Sequence, residues 1–124
     1  MQDTHRITTD LERRIIRVEF LLEEDTKEDR EKCMKEVSEI MSKDSWEGLL
    51  IDTRTLKDPM PVVEQLQIGQ SVQKSMMSLI KTAMLYNPNG GNVNEFITAV
   101  SKKRGRRIQE FTDAEEAEAW LAEQ

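Results

Sequence analysis

Hydrophobic and polar positions change their period several times along this chain, and each change marks an element boundary. Ile7 to Thr9 reads as a short strand that stops at Thr9-Asp10-Leu11-Glu12, and Arg14 to Leu22 mixes apolar and charged residues in near alternation. Ile16, Val18 and Phe20 fall on one face of the second strand and Arg17 and Glu19 on the other, so the pair predicts a hairpin with one face on a core. From Thr26 the spacing becomes helical. Thr26-Lys27-Glu28-Asp29 has the form of a capping box with Asp for the usual Glu. Cys33, Met34, Val37, Ile40 and Met41 then share one stripe, opposite Glu28, Glu31, Lys32, Lys35, Glu36 and Glu39. This helix is expected to end near Lys43-Asp44-Ser45.

Leu49-Leu50-Ile51 and Thr82-Ala83-Met84-Leu85-Tyr86 are short apolar runs, the mark of strands covered on both faces in a parallel sheet. Between them Lys57-Asp58-Pro59-Met60-Pro61 breaks the chain, and Pro61 suits the first position of a second helix. Val62, Leu66, Gly69, Val72 and Met76 are expected on one face of that helix. Gly69 costs about 1 kcal/mol against Ala there, which close approach of a neighbouring element can offset. Asn87-Pro88-Asn89-Gly90-Gly91-Asn92 is the clearest turn, with Asn92 and Glu95 expected to cap a third helix carrying Phe96, Ile97 and Val100. Lys102-Lys103-Arg104 and Gly105 end it. Arg107 to Phe111 predicts a last strand, and Asp113 with Glu116 caps a final helix that turns Ala117, Trp120 and Leu121 inward. The predicted class is α/β: a single layered domain over 1–124, with a mostly parallel four- or five-stranded sheet, an N-terminal hairpin and about four flanking helices.

Composition narrows the function classes. Charged residues are 34% of the 124 and the net charge is -6, a balance that disfavours non-specific binding to nucleic acid or anionic lipid, and no specific nucleic-acid partner is expected. Cys33 is the sole cysteine, which excludes an intramolecular disulfide and a cysteine zinc site. The start, from Met1 to Arg6, has no apolar core of a secretory signal, and no run approaches a transmembrane length, so a cytoplasmic protein is expected.

Gly48-Leu49-Leu50-Ile51-Asp52-Thr53-Arg54, a strand ending in a polar turn, and Phe111-Thr112-Asp113-Ala114-Glu115-Glu116-Ala117-Glu118-Ala119-Trp120-Leu121 carry a likeness. With the order of elements, these stretches resemble the STAS superfamily, and within it the SpoIIAA-like subgroup of small bacterial proteins. The resemblance implies a non-enzymatic binding or regulatory module, acting through a regulatory protein partner, with no cofactor. The alternative it implies, ranked second, is a carrier or sensor for a small apolar, lipid-like ligand, with a membrane surface as one setting. The family's anti-sigma-factor antagonists carry a phosphorylatable serine in an Asp-Ser-Ser-Gly-like motif after the central strand. Here Leu56-Lys57-Asp58-Pro59-Met60-Pro61 stands there: Asp58 matches the aspartate and no serine follows.

The residues themselves leave bland and functional readings side by side. Asn87, Asn89, Gly90 and Asn92 follow a strand and precede a helix, where open α/β sheets bind ligands, but they also make an ordinary turn. The stretch lacks the spacing and Lys-Ser/Thr of a phosphate loop. Asp52, Thr53 and Arg54 fall on the same rim, as contacts or as a turn lock. His5 reads as a surface residue and Cys33 as a buried structural thiol. Lys102, Lys103, Arg104, Arg106 and Arg107 form a basic cluster, read as a solvated helix end or a docking patch for an acidic partner, a lipid headgroup or nucleic acid. Met60 and Met77 flank the second helix beside Gly69, where a groove between helix and sheet can be imagined. The sequence carries no nucleophile–base pair and no convergent metal ligands, so catalytic and metal sites are not expected.

Overall fold

The computed structural model describes residues 3–123, apart from the side chains of Gln73, Met76 and Ser78. Strands β1 (His5–Asp10), β2 (Ile15–Phe20), β3 (Gly48–Asp52), β4 (Lys81–Leu85) and β5 (Ile108–Phe111) lie side by side in chain order. β1 is antiparallel to β2, and the other three pairings are parallel. The hairpin turn closes on Arg14 in the left-handed region (φ 62°), while the Asp10 carboxylate accepts from the Arg13 amide at 3.0 Å.

Helices α1 (Lys27–Met41), α2 (Val62–Gln73) and α3 (Glu95–Lys103) connect the parallel strands, and α4 (Ala114–Ala122) follows the last one. Because neighbouring residues of a strand point to opposite faces, Ile15 and Ile16 enter different cores. Ile16, Val18, Phe20 and Leu49 pack with Cys33 and Val37 of α1, Ile68 and Val72 of α2, and Ile97 of α3. Ile15, Leu50, Ala83 and Leu85 pack with Ala117 and Leu121 of α4 on the other face. The apolar runs of β3 and β4 thus occupy the sheet interior with cover on both sides, as their composition predicts.

Local chemistry sets the helix ends. Thr26 accepts from the Asp29 amide at 3.1 Å, and Asp113 accepts from the amides of Glu115 and Glu116 at 2.7 and 3.3 Å. Gly105, at φ 82°, follows α3 in the conformation only glycine adopts without strain. Four expectations shift. Pro61 is the cap of α2 rather than its first residue. Val62 is 46% exposed, and the buried face is Gln65, Ile68, Gly69 and Val72, because α2 turns that side to α3 and the sheet. Met76 falls beyond α2, in a one-turn 3-10 helix (Met76–Leu79), and its side chain lies outside the described residues. The cap of α3 is Asn94, not Asn92: the Asn92 side chain accepts from the Asn94 amide at 2.9 Å and so closes the preceding turn.

Gly69 has the close approach its position called for. A Cβ there would stand 3.2 Å from Cβ and Cγ1 of Val100, so α2 and α3 meet nearly backbone to side chain.

Candidate functional site

The carboxyl ends of the parallel strands bring the loops after β3 and β4 together, since Asp52 and Leu85 are in register. The Thr53 amide and hydroxyl both donate to the Leu85 carbonyl at 2.8 Å. The Asn94 side-chain amide donates to the Thr53 hydroxyl at 2.7 Å, and its carbonyl accepts from Arg30 Nη2 at 2.9 Å. Arg30 also grips Asp25 with two bonds of 2.8 Å and lies 4.9 Å from the Phe20 ring centre. Arg30, Asp25, Thr53 and Asn94 are all buried. The result is a charge-compensated polar chain under the rim, tying α1, β3, β4 and α3 to one another. Such a network fixes the loops on a rigid base.

Above it the rim is exposed and polar. Asp52 accepts from the Arg54 amide at 3.0 Å and from its guanidinium at 3.0 and 2.8 Å, so the carboxylate locks the turn. The bond to Asp52, reinforced by the nearby charges of Glu19 and Asp113, holds the Arg54 guanidinium above its ordinary pKa. Asp58 is exposed, and its backbone pairs with the 23–25 segment through the Asp25 amide at 3.1 Å. Asn87 accepts from the Asn89 amide at 2.9 Å, while Asn89 and Gly90 face solvent. The Asn92 side chain also bonds Glu110.

Asp52, Thr53, Arg54, Asp58, Asn87, Asn89, Gly90 and Asn92 therefore share one end of the sheet. Met60, Met77 and Gly69 do not belong to that surface. Both methionines are buried (3% and 2% exposed), and the imagined groove between α2 and the sheet is filled except for a cavity of about 40 Å³. Apolar side chains from the sheet and three helices close it because each helix places its buried stripe over the same strands.

Two further expectations are corrected. The His5 side chain is only 6% exposed: its ring hydrogen-bonds Glu36 of α1 and Thr4 and rests against Phe20, since the β1–β2 register sets His5 opposite Phe20. Arg106 leaves the basic cluster entirely and is buried, while Lys102, Lys103, Arg104 and Arg107 are exposed. Cys33 is buried as expected, and desolvation pushes its thiol up to about 12.

Sequence reasoning missed Asp25, Arg30 and Asn94, and placed Arg106 on the surface. A signal for Arg30 exists, because it continues the Cys33, Val37, Met41 stripe toward the helix start. Nothing comparable marks the other three. Among the described residues no group of three or more His, Cys, Asp or Glu is placed to hold a metal ion. No described helix is long and apolar enough to cross a membrane. Compared with known proteins, the chain matches no family model and no curated relative.

Proposed function

We infer that the chain is a non-enzymatic binding module of the SpoIIAA-like STAS type, engaging a regulatory protein partner at the carboxyl-end rim. The observation that carries this reading is the first turn of α2. Val62 and Val63 are 46% and 65% exposed there, although Asp52, Arg54 and Asp58 make the surrounding loop polar. A small apolar centre inside a polar rim is the anatomy of a protein contact. The rigid network beneath supports it, since a preformed surface loses little freedom on binding. A serine switch is not part of the proposal. Thr53 is fully buried, which leaves Thr55 as the exposed hydroxyl of this loop.

The test is a photo-cross-linking residue at position 63, with position 9 at the opposite end of the sheet as control. A discrete, light-dependent protein adduct at 63 alone is expected in cells. Equal labelling at both positions, or none at 63, overturns the reading.

A second reading, a carrier or sensor of a small apolar molecule, is favoured by the cavity between the sheet and α1, α2 and α3.

A further inference from the structure

Arg106 lies in the turn between α3 and β5 and is 8% exposed. Its backbone amide returns to the Ser101 carbonyl at 3.1 Å, which turns the residue back against the end of α3. The guanidinium donates to the Thr82 hydroxyl at 2.6 Å, the Met77 carbonyl at 3.2 Å and, weakly, the Ser101 hydroxyl at 3.4 Å. Every one of those partners is neutral. Its Nε is buried with no partner, and among the described residues no carboxylate pairs with the side chain. Burial lowers its pKa to about 10, still far above neutrality, so the charge remains inside the fold.

The same residue lines the cavity of about 40 Å³, together with Val72, Met77, Met84, Ile97 and Ile108. Arg30 lines it too, but Asp25 compensates that charge. The lining of this apolar cavity therefore includes a positively charged residue with an unpartnered donor, and no acidic residue. A water molecule can satisfy the donor, but it cannot neutralise the charge. A carboxylate can do both. The volume is room for about two or three waters, which matches a carboxyl group bearing a short carbon chain. The flexible side chains of Met77 and Met84 allow small adjustments to such a guest.

From this we propose that the cavity is a binding site for a short-chain monocarboxylate, its carboxylate on Arg106 and its alkyl group among the apolar side chains. The proposal rests on the second reading above, that of an interior ligand, and adds the anchor and the ligand class.

Thermal melts of the full chain at pH 7 and constant ionic strength test it, with sodium acetate, propionate and butyrate against the matching amides and sodium chloride. The carboxylates are expected to raise the melting temperature saturably, at concentrations at least tenfold below those of their amides, and chloride to leave it unchanged. Arg106→Met removes the carboxylate response, and Arg106→Lys, the second variant should the first not fold, weakens it. Equal effects of acid and amide overturn the Arg106 anchor while leaving an interior ligand site standing. Equal stabilisation by chloride reduces the site to a bare ion and overturns the proposal. No shift with any compound defeats the proposal and the interior-ligand reading together. A carboxylate response that survives both substitutions places the ligand elsewhere and also overturns it.

Discussion

Among the described residues two arginines are buried, at opposite ends of the sheet, and their surroundings differ in one respect. Arg30, near the carboxyl ends of the strands, meets a buried carboxylate in a two-bond grip, and its remaining contacts are an amide oxygen and an aromatic face. Arg106, beside the start of β4, meets two hydroxyls and a carbonyl and keeps one donor free. Burying a charge is tolerable when its partner is buried with it, and costly otherwise. The first arginine is therefore part of the scaffold, whereas the second is a charge in search of a partner. That contrast separates a structural network under the rim from a site with unmet chemistry in the interior.

The largest expected effect comes from breaking the compensated pair. Arg30→Met strands the Asp25 carboxylate in the interior and should destabilise by about 3–5 kcal/mol, read from urea melts. Replacing both residues, with Asp25→Leu added, should recover most of that loss, because two apolar groups need no partner. If the single variant melts like the wild type, Arg30 and Asp25 are not the brace described.

Arg106→Met should go the other way. Removing an uncompensated buried charge relieves its desolvation and is expected to be neutral or stabilising in ligand-free protein, read from the same urea melts. A loss comparable to that of Arg30→Met would abolish the distinction between the two arginines.

The smallest effect calibrates both against a solvent-accessible pair. Glu118 on α4 grips Arg17 of β2 at 2.7 and 2.8 Å, with both side chains 28% exposed. The bond to Arg17 holds the Glu118 carboxyl below its ordinary value of 4.5. A lowered carboxyl pKa stabilises the fold above the unfolded value, and the contribution fades as pH falls through the folded one. Glu118→Gln should therefore cost no more than about 1 kcal/mol at pH 7, after solvent screening. The gap to wild type should close as the pH drops below about 4.5, measured by melts across that range. A gap that widens on acidification would contradict the assignment.

Most of the fold was legible because hydrophobic period and capping chemistry are local. The alternation from Ile16 to Phe20, the stripe from Cys33 to Met41 and the caps at Thr26 and Asp113 each needed only a few neighbouring residues. The register of α2 was less legible. Its first apolar residues, Val62 and Val63, turned out exposed, while Gln65 is buried and donates to the Met60 carbonyl at 2.9 Å. Hydrophobicity alone ranks those positions the wrong way round. The rim was half legible: strand order placed Asp52, Thr53 and Asn87 together, but the bond from Asn94 to Thr53 spans 41 positions. No local pattern records a contact of that separation.

What the sequence determined by itself was the succession of strands and helices, since each depends on backbone preference and on which residues repeat at its period. What only the tertiary structure decided was the fate of the charges. Arg104, Arg106 and Arg107 are near neighbours in one basic run, yet only Arg106 is buried. The selection is made by the left-handed step at Gly105 and by the hydroxyl of Thr82, which β4 brings alongside from 24 positions away. Burial of a charged side chain depends on which distant groups the fold delivers to it, and composition carries no record of that delivery.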